Sequence, residues 1–166
     1  MLQQIQSKVG QSCIARALEE AKKVMPTSVF VLDIETSGEN KLPGDSPCYA
    51  GHGVMGIALC NMHGDAIYLV IDDARKFGGI PISDAIQFIN TVWLKQAHAL
   101  VLHHGKFDLG FLLRRGLKIP DSVRIMDTYI INSIRCEGVF VSNKLKELVR
   151  AKFGLNTATE EGKDKF

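Results

Sequence analysis

The chain has 166 residues, enough for one domain with a substantial core and short for two. Apolar residues make up 46% and charged residues 23%, which excludes a disordered tail, a collagen-like fibre and a small disulfide-stapled fold. A formal net charge of +2 excludes a polycation that coats nucleic acid over its whole surface.

The N-terminal segment places Leu2, Ile5, Val9, Cys13, Ala17, Ala21 and Val24 at intervals of three or four residues, the period of an amphipathic helix. It lacks the continuous apolar core of a secretion signal. No apolar run approaches the ~18 residues that span a bilayer. The four cysteines, Cys13, Cys48, Cys60 and Cys136, form no CxxC pair and suggest no disulfide framework. These features lead to the expectation of a soluble, cytoplasmic protein of a reducing interior with no membrane partner.

Pro26 and Thr27 end the leading helix. Val29–Leu32 is an almost wholly apolar run, which predicts a strand buried on both faces. A polar, Gly- and Pro-containing stretch from Ser37 to Gly53 predicts a long loop. Strands are expected at Val54–Leu59 and Ala66–Ile71, joined by a hairpin turn over Asn61–Asp65. Ser83 is the expected N-cap of a helix over Asp84–Leu94 whose apolar side is Ile86, Ile89, Val92 and Trp93. Ala99–Leu102 is a further buried strand, and Phe107–Arg115 a helix stopped by Gly116. A short strand, Arg124–Met126, precedes helices over Thr128–Arg135 and Asn143–Lys152. The hairpin favours antiparallel pairing at one edge, and the later alternation favours parallel strands joined by helices. The expected fold class is α/β, a mixed five-stranded sheet with helices on both faces. The expected organisation is an N-terminal helix over residues 1–26, the main domain over 27–154 and a polar tail over 155–166.

Charge is unevenly placed. Residues 1–96 carry 8 Lys/Arg and 10 Asp/Glu, whereas residues 97–153 carry 10 basic and 5 acidic residues. A basic half suits a one-sided anionic ligand such as a nucleic-acid backbone, and it suits equally the solvated faces of three helices.

The strand Val31-Leu32 runs directly into Asp33-Ile34-Glu35-Thr36. Residues two apart share one face of a strand, so the two carboxylates converge. Their mutual repulsion is offset directly by a hard divalent cation such as Mg²⁺ or Mn²⁺. A strand end with two solvated acids is the plain alternative. A second acid, Asp108, follows the strand at 99–102 through His103-His104-Gly105-Lys106-Phe107, where a helix opens. Ligands collect at such strand ends in α/β sheets. An ordinary first-turn acid that complements the helix dipole is the alternative there.

VLDIETSG and LVLHHGKFDLGFLLRRG resemble the first and second motifs of the DEDD superfamily of 3′–5′ exonucleases. The segments Val54–Leu59 and Ala66–Leu69, the run Met126-Asp127-Thr128-Tyr129-Ile130, and Lys144–Leu148 with Phe153-Gly154 resemble the proofreading domain of family A DNA polymerases. The resemblance covers Val29 to Gly154 and implies a ribonuclease H-like fold. It implies two-metal hydrolysis with two Mg²⁺ or Mn²⁺ ions, releasing nucleoside 5′-monophosphates from a single-stranded DNA 3′ end. By that resemblance Asp33 bridges both ions, Glu35 holds the ion that activates water, and Asp108 helps hold the second. Thr36, Ser37, His104 and Phe107 would contact the terminal nucleotides, with core packing the favoured role for Phe107. Asp127 and Thr128 would support the site from behind.

Two departures stand out. His104 fills the place where that family carries Asn. The third motif, a Tyr or His followed by a fourth carboxylate, has no counterpart, since no Tyr follows Tyr129 and no His follows His104. The expectation is a C-terminally incomplete exonuclease domain, with the missing motif drawn from a longer chain, a separate chain or a polymerase subunit. A catalytically inactive nucleic-acid-binding module and a ribonuclease D-like exonuclease are the alternatives. The Cys48/His52 and Cys60/His63 spacings could suit zinc, but Cys60 and His63 flank the expected hairpin turn while Cys48 and His52 fall in the expected loop, nothing requires the two pairs to meet, and coincidence is the expectation.

Overall fold

The computed structural model describes residues 16, 18–24, 26–37, 53–71, 79–136 and 142–154. Strand β1 (Val29–Thr36) is central, flanked by β2 (Val54–Asn61) and β3 (Ala66–Val70) on one side. On the other side lie β4 (Ala99–Leu102) and β5 (Arg124–Asp127), which gives the order β3-β2-β1-β4-β5. β1 pairs antiparallel with β2 and parallel with β4, and β2 pairs antiparallel with β3, so the sheet is mixed as expected.

The hairpin forms where the turn residues predicted it. Asn61 is buried and organises it: its Oδ1 accepts from the backbone N–H of His63 (2.9 Å) and Asp65 (3.0 Å). Its Nδ2 donates to the Asp65 carboxylate at 3.0 Å. One amide thus satisfies three partners in five residues, and Gly64, at φ +89°, takes the left-handed position that the turn requires.

Helix α1 (Ile82–Phe88) runs on into a π-helical turn, Ile89–Trp93, closed by Leu94 N–H donating to Ile89 O at 2.9 Å. Ser83 does not cap it. Pro81 stands at the boundary with φ −55° and ψ 136°, and the Ser83 hydroxyl lies within the first turn, donating to Asp84 Oδ1 at 3.3 Å. A proline at the boundary presets the helical φ and has no N–H to satisfy, so no side-chain cap is needed there. Ile89 and Trp93, the two ends of the π turn, are both buried in the core. Trp93 meets Phe30 of β1 edge-on, with ring centroids 5.2 Å apart.

Helix α2 (Gly105–Arg114) ends in a Schellman motif: Leu117 N–H donates to Leu112 O at 3.0 Å and Gly116 N–H to Leu113 O at 3.1 Å. Gly116, at φ +94°, is the left-handed residue expected there, and Leu112 and Leu117 are both buried.

The core contains Phe30, Leu32, Ile34, Ile57, Leu59, Leu100, Leu102, Ile89, Trp93 and Leu112. Ala21 joins it, with Leu18 and Val24 packed alongside, so the described end of the leading helix does bury an apolar side. The rest of that helix lies outside the described residues, as do Cys48 and His52. β1 itself departs from the expectation of burial on both faces. Phe30, Leu32 and Ile34 are buried, while Val31, Asp33 and Glu35 point the other way and are exposed. An apolar run of four residues does not distinguish one-face from two-face burial, and here Val31 alone of the apolar residues lies on the outward side of the strand's middle.

The chain divides into two units, Met1–Met126 and Asp127–Phe166. In the second, α3 (Thr128–Arg135) is capped by Asp127, whose Oδ1 accepts from Tyr129 N–H at 2.9 Å. Helix α4 (Leu145–Phe153) starts two residues later than predicted, because Asn143 serves as a linker. Asn143 Oδ1 accepts from Asn132 Nδ2 at 2.6 Å, and its Nδ2 donates to Ser133 Oγ at 2.8 Å, tying the approach of α4 to α3. Gly154, at φ +65°, closes α4.

Candidate active site

The site is assembled at one end of two adjacent parallel strands. Asp33 and Glu35 occupy the outward face of β1, opposite Ala58 and Gly56 of β2. The pairing slips between Glu35 and Thr36, so that Thr36 faces Val54 and Met55 is the extra residue. Such irregularities re-aim side chains at strand ends. Just beyond, Ser37 N–H donates to Gly53 O at 2.9 Å and Ser37 Oγ accepts from Gly53 N–H at 3.0 Å, pinning the two chain segments together beside Glu35. The Ser37 hydroxyl is therefore engaged with backbone.

The parallel register pairs Val31 with Val101, which carries His103 to the end of β4 beside Asp33. Neighbouring groups strip hydration from Asp33, and this desolvation pushes its carboxyl above the usual aspartate range. A hydrogen bond from the Ile34 N–H and the charge of His103 pull it part of the way back. His103 is the residue that motif reasoning left without a role. The signal was available in the sequence, because two strands entering one site in parallel bring equivalent positions together.

His104 follows in the left-handed conformation, φ +63° and ψ 42°, at the N-cap of α2 and without a side-chain cap bond. It is the one non-glycine residue with positive φ among the described residues. Asn adopts this conformation more readily than most residues, so the backbone explains why an Asn serves at this place in the resembling motif. The tight turn lets α2 begin immediately. Gly105 is buried against Leu102, and Asp108 lies in the first turn, 4% exposed. Phe107 packs against the core and against Phe111, with ring centroids 5.1 Å apart, the packing role favoured for it. Phe111 also receives the Arg115 guanidinium, 5.6 Å from its ring centroid.

The donor set is a converging pair of carboxylates, one of them desolvated, and such a pair suits a hard divalent cation. Asp108 is not drawn into the same cluster. Among the described residues, no group of three or more His, Cys, Asp and Glu side chains comes together at a spacing that would hold a metal. Cys60 and His63 likewise form no such group with other described residues. Asp127 is engaged as a helix cap, and Thr128 opens α3. No helix among the described residues is long and apolar enough to cross a membrane.

No family model matches the chain, and no curated protein matches it in sequence. Solved structures do match it. One, a nuclease in its apo form, superimposes with a TM-score of 0.57 at 17% identity, covering 86% of this chain and 59% of the nuclease. NrnC of Brucella melitensis, solved bound to pGG, matches with a TM-score of 0.54 at 18% identity, over 80% of this chain and 55% of its own. A second NrnC structure contains bound Mg²⁺. RNase D of Escherichia coli, described as an exoribonuclease involved in structured RNA processing, matches with a TM-score of 0.53 at 17% identity. That match covers 94% of this chain and 34% of RNase D. The fold is ribonuclease H-like, and these nuclease structures share it. The chain spans less than two thirds of the length of each of these neighbours.

Proposed function

We propose that this chain is a metal-dependent 3′–5′ exonuclease domain of the DEDD type. The observation that carries the reading is the juxtaposition, at the ends of β1 and β4, of the Asp33/Glu35 pair with the His103–Asp108 turn, in a fold shared with nucleases. Asp33 and Glu35 would hold divalent cations, Mg²⁺ or Mn²⁺; the DEDD pattern adds Asp108 as a further ligand, which in this structure stands outside their cluster. Bound there, the ions supply an activated water and charge stabilisation on the leaving 3′-oxygen. The Mg²⁺ in an NrnC structure supports that choice of cofactor.

The remaining work falls to the chain's own side chains. Asp33 sits half-desolvated, which strengthens its attraction for positive charge. His103 stands beside Asp33 at the end of β4. His104, exposed at the N-cap of α2, reaches a phosphate or sugar oxygen of the last nucleotides, and Thr36 closes β1 next to Glu35. In the DEDD pattern a Tyr or His orients the water. Here we assign that group and the fourth carboxylate to a separate chain, such as a polymerase subunit.

The substrate is a single-stranded 3′ end. The proofreading-like segments 54–69 and 126–130 favour DNA, and the likeness to RNase D supports RNA equally well. The test offers 3′-extended, 5′-labelled DNA and RNA oligonucleotides with Mn²⁺. The expected result is slow, stepwise shortening from the 3′ end that Asp33→Ala lowers at least ~100-fold. Cleavage that survives Asp33→Ala would refute the mechanism, and tight single-strand binding without cleavage would favour a binding module.

A further inference from the structure

The register sets three rows of side chains across the outward face of the sheet. They run Val31–Cys60–Ala66, Asp33–Ala58–Tyr68 and Glu35–Gly56–Val70. Only Ala58 and Gly56 lie between the two carboxylates and strand β3, so the floor there is bare. Tyr68 leans across it. A methyl group on Gly56 would lie 1.9 Å from the Tyr68 hydroxyl oxygen and 2.3 Å from its Cζ. The tyrosine therefore fills the space that any other residue at position 56 would need. This accounts for a glycine in the middle of a strand, where it otherwise weakens the structure.

Gly56 is directly opposite Glu35. Cβ positions of opposite residues lie about 4.5–5.5 Å apart, and the hydroxyl almost coincides with the Gly56 Cβ position, so it stands within about 7 Å of the Glu35 Cβ. Rotation about the two torsions beyond the Glu35 Cβ is enough to carry its carboxylate across that gap. Tyr68 is 55% exposed and is not needed to complete the core.

We propose that Tyr68 is a positioning residue: its hydroxyl donates a hydrogen bond to the Glu35 carboxylate and holds it toward Asp33 for cation binding. The proposal rests on the reading of Asp33 and Glu35 as cation ligands. Glu35 is exposed and has three free torsions, so a fixed outer partner converts a mobile acid into an oriented ligand. Loss of such a partner typically lowers metal affinity ~10–100-fold.

The test is a Mn²⁺ titration of the full chain followed by electron paramagnetic resonance, with thermal melting as the check on folding. Tyr68→Phe, which removes only the hydroxyl, is expected to weaken Mn²⁺ binding about tenfold with an unchanged melting temperature. Gly56→Ala is expected to do the same, because the added methyl displaces the ring. In a Glu35→Gln background, Tyr68→Phe is expected to have no further effect. Wild-type affinity in Tyr68→Phe, or losses that multiply in the double variant, would overturn the proposal while Asp33→Ala still abolishes binding. If Tyr68 merely roofs the glycine, Tyr68→Phe will bind Mn²⁺ as the wild type does. If wild-type Mn²⁺ binding is absent or survives Asp33→Ala, the carboxylate site itself fails and the role of Tyr68 falls with it.

Discussion

Gly105→Ala sets two effects of known sign against each other. At the start of α2, alanine is the better helix former, and relief of glycine's backbone entropy would favour it by up to about 1 kcal/mol. The new methyl, however, would lie 2.8 Å from both Cβ and Cδ1 of Leu102, and 3.3 Å from its Cγ. Leu102 is 1% exposed at the end of β4, and its Cβ, fixed to the strand backbone, cannot turn away from the new methyl. Forcing an extra methyl into a filled core costs about 1–3 kcal/mol, so the clash outweighs the helix gain. The net loss of roughly 1–2 kcal/mol corresponds to a melting temperature lower by about 2–8 °C for a chain of this size.

Urea unfolding can be followed by fluorescence of Trp93, the only tryptophan in the chain and a fully buried one. A second variant sharpens the test. Leu102→Ala alone should lose about 2–5 kcal/mol to the cavity it leaves. Combined with Gly105→Ala it should lose at least ~1 kcal/mol less than the two losses added, because the methyl then has room. Additive losses, or a Gly105→Ala protein as stable as the wild type, would refute the claim that α2 is seated directly on Leu102. That seating is what delivers Asp108 to the end of β4.

Two further predictions concern the site itself. Desolvation raises the Asp33 pKa in the folded chain. The stability tied to its protonated form is therefore complete below the unfolded value of about 3.9 and is lost as pH rises through the folded value. Asp33→Asn should accordingly raise the melting temperature in metal-free buffer at pH 7, with the gain vanishing below about pH 4. A melting temperature lowered at pH 7 would show that Asp33 is stabilised in its charged form. The left-handed His104 carries roughly 1–2 kcal/mol of backbone strain, and glycine returns about 0.5–1 kcal/mol of that as extra unfolded-chain entropy. His104→Gly should then be as stable as the wild type or up to about 1 kcal/mol more stable in urea, while losing affinity for single-stranded oligonucleotide. A destabilisation beyond ~1 kcal/mol would mean that side-chain contacts outweigh the strain.

What could be read from the amino acids was what local chemistry determines alone. The Asn61–Asp65 turn was legible because one side-chain amide and one glycine suffice to build it. The end of α2 was legible because Gly116 has a single conformational use there. The convergence of Asp33 and Glu35 followed from strand geometry whatever surrounds them. Features that depend on other parts of the chain were not legible. The partner of Trp93, Phe30 some sixty residues earlier, and the widening of the helix into a π turn at Ile89–Trp93 leave no trace in a 3.6-residue period. Ser83 has the right chemistry for a cap, but Pro81 had already set the helix start. The leaning of Tyr68 over Gly56 joins two strands and becomes visible only with the register. The side-chain pattern of β1 reads as apolar through Leu32, and only the pairing shows which of its faces carries the acids.

The clamp between Ser37 and Gly53 has a consequence for how this molecule can vary. Two hydrogen bonds between these residues tie the end of β1 to the start of β2 at the neck of the loop, so the strands are joined there whatever lies between them in sequence. Closure entropy grows only slowly with loop length, by about 0.6 kcal/mol for each doubling. The fifteen residues from 38 to 52 can therefore lengthen, shorten or change composition at little thermodynamic penalty, while the neck keeps Glu35 in place. Change in the length of chain between the two residues thus leaves the carboxylate-bearing strand in register.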